Sequence, residues 1–116
     1  MAGGGVVHIP WYATGFRHDG LAVALVEIAA ISVRYGATAY AVDRHRDDRY
    51  KFLQTATFDD KLDFSRYWEG DEFIDFRVRH SSWFQIPVLY AWTDRIAAGG
   101  MESEAVATGG NGDTAA

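Results

Sequence analysis

YGATAYAV (35–42), DRHRDDR (43–49), YKFLQTATF (50–58) and DDKLDFSRYWEGDEFIDFR (59–77) form one continuous run that decides the fold. The first and third segments are rich in aromatic, β-branched and small residues, and the second carries too many charges to be buried. That pattern predicts a hairpin of strands Gly36–Asp43 and Arg49–Phe58, joined through Arg44 to Asp48. In the later strand Tyr50, Phe52, Gln54, Ala56 and Phe58 share one face, and Lys51, Leu53, Thr55 and Thr57 share the other. The fourth segment opens on acids, with Asp59 or Asp60 as the helix cap, and carries Leu62, Phe64, Tyr67 and Trp68 at helical spacing. Gly70 breaks or bends it, after which Phe73 and Phe76 point inward again.

Working outward, Leu21–Tyr35 reads as a helix with Leu21, Leu25, Ile28, Ser32 and Tyr35 on one stripe. Val23, Val26, Ala30 and Val33 widen its apolar arc until only Glu27 and Arg34 are charged, so cover on more than one side is expected. Gly36 supplies its stop. Before it, Asp19 is a candidate cap, and Val6–Thr14 reads as a strand whose Pro10 argues for an edge or a bulge. After the run, IPVLYAWT (86–93) reads as the last strand, with Ile86, Val88, Tyr90 and Trp92 on one face. The order is βαββαβ. Residues 1–5 are expected to be a flexible lead-in, 6–95 one domain, and 96–116 a flexible tail of Ala, Gly and small polar residues.

Two helices can cover only one side of such a sheet under ordinary βαβ handedness. The later strands are not polar on their second face, so a homodimer packed sheet to sheet is expected. At 116 residues the chain has room for one modest core. Its 15% aromatic content exceeds what that core needs, which points to a pocket lining or an interface as well. The charge of −5 argues against nucleic acid as a partner. The absence of cysteine excludes disulfides and thiolate chemistry. With no leader-like pattern and no long apolar stretch, neither secretion nor a membrane partner is expected, and the expected location is cytoplasmic.

The central hairpin RHRDDRYKFLQTATF, the split helix DDKLDFSRYWEGDEFIDFR and the closing IPVLYAW together resemble the dimeric α+β barrel superfamily, within the broader ferredoxin-like architecture. The nearest likeness is to small antibiotic-biosynthesis-type monooxygenases, and it covers Val6 to Thr93. The resemblance implies an α+β fold with an antiparallel four-stranded sheet, two such sheets packed into a barrel across a dimer, and a pocket between each sheet and its helices. It implies oxidation of a phenol or quinol by molecular oxygen without metal, flavin or other cofactor. Other members of the superfamily degrade haem, bind small molecules or have no known activity. In that comparison Tyr67 matches the helix aromatic, but the axial histidine position falls on Arg77, which does not ligate iron.

Candidate site residues follow from residue type and face. His8 and Tyr12 share a strand face, where histidine would accept a phenolic proton; the alternative is an edge hydrogen bond. His80 ends the second helical stretch, as a pocket residue or as a favourable charge at the helix end. Trp11, Tyr67, Trp68, Tyr90 and Trp92 are candidates to bind a flat substrate, against the alternative of core and dimer packing. Arg66 and Arg77 would meet a carboxylate or phenolate, or else be solvated. No metal-ligand spacing, phosphate loop or serine elbow is present. Two functions remain open: an oxygenase acting on an aromatic or polyketide-like compound, and a non-catalytic dimeric binding or structural protein. A closed pocket receiving His8, Tyr12 or His80 would mark the enzyme, and an interior filled by Trp and Phe the alternative.

Overall fold

The computed structural model describes residues 4–101. They fold in the order β1 (Gly5–Tyr12), α1 (His18–Ile31), a 3-10 turn (Ser32–Tyr35), β2 (Ala37–Arg44), β3 (Lys51–Phe58), α2 (Lys61–Trp68), α3 (Asp71–Arg79) and β4 (Ala91–Asp94). This is the expected α+β, ferredoxin-like βαββαβ order, with its second helix split at Gly70. The antiparallel sheet runs β2-β3-β1-β4. Residues 1–3 and 102–116, and with them parts of the expected lead-in and tail, lie outside the described residues.

Alternation places the core. Val7, Ile9 and Trp11 of β1 and Phe52, Ala56 and Phe58 of β3 are buried on one sheet face. Leu21, Leu25 and Ile28 of α1, Phe64 and Tyr67 of α2, and Phe73 and Phe76 of α3 join them in one apolar cluster. Asp60 caps α2 as expected, its carboxylate accepting from the Leu62 amide at 3.0 Å. Gly36 follows the 3-10 turn at φ 107°, where a Cβ would also stand 2.9 Å from the Asp63 carboxylate.

Four local expectations need correction. The last strand is Ala91–Asp94, not Ile86–Thr93. Phe84 bridges to Ala13 and the Gln85 amide donates to the Tyr12 carbonyl, and then the chain leaves the sheet until Ala91 pairs with His8. Pro87 has no N–H to give a ladder, and Val88 turns its side chain to the core instead. β1 is an inner strand rather than an edge, yet β4 ends against His8, so Pro10 stands where β1 has a neighbour on one side only. Asp19 does not cap α1: Arg17 takes the cap position without a side-chain bond, and the Asp19 carboxylate accepts from Arg44 Nη2 at 3.0 Å instead. Finally, Val23 and Val26 of α1 and Val33 of the 3-10 turn are exposed, so among the described residues this segment is covered on its core side alone.

Candidate functional site

The space between sheet and helices is filled by rings. Trp11 meets Phe84 edge-on at 5.0 Å, Phe76 at 5.7 Å and Phe73 at 6.2 Å, while Tyr67 meets Phe73 at 4.7 Å. The polar atoms enclosed there satisfy one another. Trp11 Nε1 donates to Gln54 Oε1 at 3.0 Å, Gln54 Nε2 donates to the Tyr67 hydroxyl at 3.0 Å, and that hydroxyl donates to the Ile28 carbonyl at 2.6 Å. This chain ties β1, β3, α2 and α1 together through side chains. Burial drives the Tyr67 phenol well above its ordinary range, against the opposing hydrogen bond from Gln54, so it stays neutral. Trp11 and Tyr67 are therefore interior residues with every polar atom engaged.

The three candidate catalytic residues do not meet. His8 and Tyr12 face away from the helices and stand four residues apart on β1, about 13 Å along an extended strand. Thr93 donates its hydroxyl to the Val6 carbonyl at 3.1 Å, so His8 Nε2, 3.1 Å from that hydroxyl, is its donor. The Tyr12 hydroxyl donates to Asp48 at 2.9 Å; this carboxylate bond, with a lesser effect of burial, pushes the phenol pKa up. His80 lies on the helix side. Its ring stands 4.8 Å from Phe76 and 4.6 Å from Trp83, and its Nδ1 is 3.0 Å from the Phe76 carbonyl, which makes Nδ1 the donor. It lines a groove of about 230 Å³ between α1 and α3, whereas Tyr12 borders a separate hollow of about 200 Å³ with Pro10, Lys51 and Pro87.

Four of the seven candidate binding residues do come together, where α2, α3 and the approach to β4 meet. Trp68, Tyr90 and Trp92 pack around Phe64 at 6.1, 4.8 and 6.4 Å, and Trp68 meets Tyr90 edge-on at 5.2 Å. The Arg77 guanidinium lies 4.1 Å from the Trp68 ring centre and 4.9 Å from that of Phe73. Arg77 Nη2 donates to the Trp68 carbonyl at 3.0 Å, while Nη1 is buried with no hydrogen-bond partner among the described residues. Burial lowers the guanidinium pKa, and Glu69 opposes that shift. A guanidinium remains charged under such conditions, so this is a partly desolvated cation lying against two mutually packed rings, whose centres are 5.0 Å apart. Tyr90, which also packs on the Trp68 ring, keeps 43% of its surface exposed.

Arg66 stands apart, exposed on α2 and bound to Asp63 at 2.5 Å. Gln54 and Phe73 are not among the candidate site residues, although the sequence places Phe73 inward and Gln54 on the face of Phe52 and Phe58. Gln54 alternates in phase with Phe52 and Ala56, which was a readable sign that its amide is buried. Among the described residues no cluster of three or more His, Asp or Glu could hold a metal ion.

No protein-family model matches the chain, and no curated protein matches it. Solved structures do. PA3566 from Pseudomonas aeruginosa is similar at TM-score 0.73 and 19% identity, over 84% of this chain and 98% of that one. A single-site mutant of SnoaB, a cofactor-independent oxygenase from Streptomyces nogalater, gives 0.71 and 14%, over 84% and 97%. Rv0793 from Mycobacterium tuberculosis gives 0.72 and 9%, over 84% and 99%. At these identities the shared property is the fold alone: a four-stranded antiparallel sheet backed by helices.

Proposed function

We propose that this chain is a homodimeric binding protein for an aromatic compound carrying a carboxylate or phenolate, built on the fold of the small monooxygenases and without oxidative turnover of its own. The observation that carries the reading is Arg77, whose half-buried guanidinium holds one buried Nη without a partner among the described residues, against the packed rings of Trp68 and Phe73. A buried cationic N–H left unpaired is costly, and an oxyanion is the group that relieves it best. Trp68, Tyr90 and Trp92 offer flat apolar surface for the ring of such a ligand. Tyr90, exposed and outside the ladder, is the side chain that moves to admit it. Binding without turnover is supported by the filled interior and by the separation of His8, Tyr12 and His80.

The homodimer is part of the reading. The sheet face away from the helices carries His8, Pro10, Leu53, Thr55 and Thr57, with Leu53, Thr55 and Thr57 half-buried already in one chain. A second copy covers it sheet to sheet.

Quenching of tryptophan fluorescence by 1-hydroxy-2-naphthoate tests the site. Saturable binding is expected, weakened at least about tenfold in Arg77→Met. Equal affinity in the two proteins overturns the assignment.

Oxygenase action is the second reading, favoured by likeness to the fold of a cofactor-independent oxygenase. A quinol would then lose a proton to His8 and supply the electrons that reduce oxygen, leaving the protein to position it. Oxygen uptake with a panel of quinols, rising above the uncatalysed rate and falling in His8→Ala, would establish this reading in place of the first.

A further inference from the structure

The outer face of α1 and of the 3-10 turn that continues it carries a second apolar surface, on the far side from the core. Val23, Val26 and Val33 are 63%, 57% and 53% exposed, and Ala30 lies exposed among them. Their spacing of three, four and three residues makes a straight seam of the kind by which two helices pack side by side. The seam's charged neighbours, Glu27 and Arg34, both lie along one flank, one residue beyond Val26 and Val33. Glu27 has no ion-pair partner among the described residues. Arg34 contacts Glu72 through Nη2 at 2.7 Å and has further N–H donors to offer.

We propose that this seam joins two copies of the chain, α1 against α1 in antiparallel orientation, about a two-fold axis beside Ala30 and Ile31. Charge complementarity selects both the occupant and the direction. An axis perpendicular to the two helices keeps their charged flanks on the same side of the pair. Glu27 on α1 and Arg34 on the 3-10 turn lie on opposite sides of it, each about one turn away, so Glu27 faces the partner's Arg34 and Arg34 faces the partner's Glu27. In a parallel pair the charged flank of one helix meets the uncharged flank of its mate, and both ion pairs are lost. Ala30 at the crossing lets the backbones approach, and the three valines supply the apolar contact. The apolar seam drives association while the charges set orientation, because exposed ion pairs add little affinity. The contact is small, so the association is weak and depends on concentration. It is independent of ligand binding and uses a surface separate from the sheet face.

Sedimentation velocity of the full chain from about 10 µM to about 1 mM tests this. The expected result is a concentration-dependent doubling of mass that disappears in Val26→Glu. Glu27→Arg alone and Arg34→Glu alone place like charges opposite one another, and each should raise the dissociation constant at least about threefold. An equimolar mixture of those two variants restores both opposite-charge pairs and should recover the wild-type constant, which a folding defect would not do. Leu53→Asp on the sheet face should leave the doubling in place. Absence of the doubling in the wild type, its persistence in Val26→Glu, or failure of the mixture to recover it overturns the proposal.

Discussion

Arg77 donates Nη2 to the backbone carbonyl of Trp68 at 3.0 Å while its guanidinium lies 4.1 Å from the centre of the same residue's ring. One side chain of α3 thus closes the last turn of α2 and covers its terminal aromatic. The bend at Gly70 makes this possible: a Cβ there would stand 2.8 Å from both the Arg66 carbonyl and the Tyr35 hydroxyl.

Replacing Arg77 by Met should change stability little, within about 1 kcal/mol of wild type. The variant loses a carbonyl bond and a cation–π contact, but it also removes a buried N–H without a partner. Chemical denaturation measures the balance. A loss of about 3 kcal/mol or more would mean that Arg77 holds the two helices together, and that its unpartnered nitrogen is no sign of a ligand.

Gln54 should be among the costliest polar positions to change. Gln54→Leu strands Trp11 Nε1 inside the core, and a loss of about 2–3 kcal/mol is expected from that unsatisfied donor. Urea denaturation of this variant should show a lower midpoint with an unchanged slope.

Tyr67 makes stability depend on alkaline pH. Its phenol is held above the unfolded value near 10, so the folded state keeps a proton that the unfolded chain releases. The contribution is therefore complete below that pH and falls away as pH rises beyond it. Tyr12 and Tyr35 are shifted in the same direction, so the informative quantity is the difference between wild type and Tyr67→Phe. Melting temperatures across the alkaline range should fall less steeply in the variant, although it starts lower through loss of the bond to the Ile28 carbonyl.

Phe16 occupies the left-handed region at φ 66° with 97% of its surface exposed. A side chain there works against its own backbone and packs on nothing. Phe16→Gly should raise stability by about 0.5–1 kcal/mol, after allowing for glycine's greater freedom in the unfolded chain. Phe16→Ala keeps the Cβ and should bring no such relief; equal melting temperatures for the two variants would show that the strain is absent.

Leu53 lies on the open sheet face, beside Pro10 and Asp43 in the ladder. If a second copy covers that face, low-micromolar light scattering should report a dimer for the wild type and a monomer for Leu53→Asp. A wild-type monomer would remove the argument from the two-sided sheet.

The alternating face Phe52, Gln54, Ala56 and Phe58 and the helical stripe Leu21, Leu25, Ile28 and Ser32 were legible because burial there follows the period of the local backbone. Asp60 and Gly36 were legible for the same reason: a helix end has its own local chemistry. Order and fold class follow from such signals. The last strand was not legible, since the pattern through Ile86–Thr93 continues unbroken while the chain departs from the sheet. Whether those residues pair is decided by β1, at the other end of the described chain. The candidate site divides along the same line. Histidines and aromatics could be named from residue type alone, but only tertiary packing placed His8 and His80 on different sides of the sheet, filled the interior with Trp11 and Phe73, and brought Trp68, Arg77 and Tyr90 to one corner. Local periodicity specifies which face of an element is apolar. What that face meets depends on contacts between distant segments, and no period within one segment encodes them.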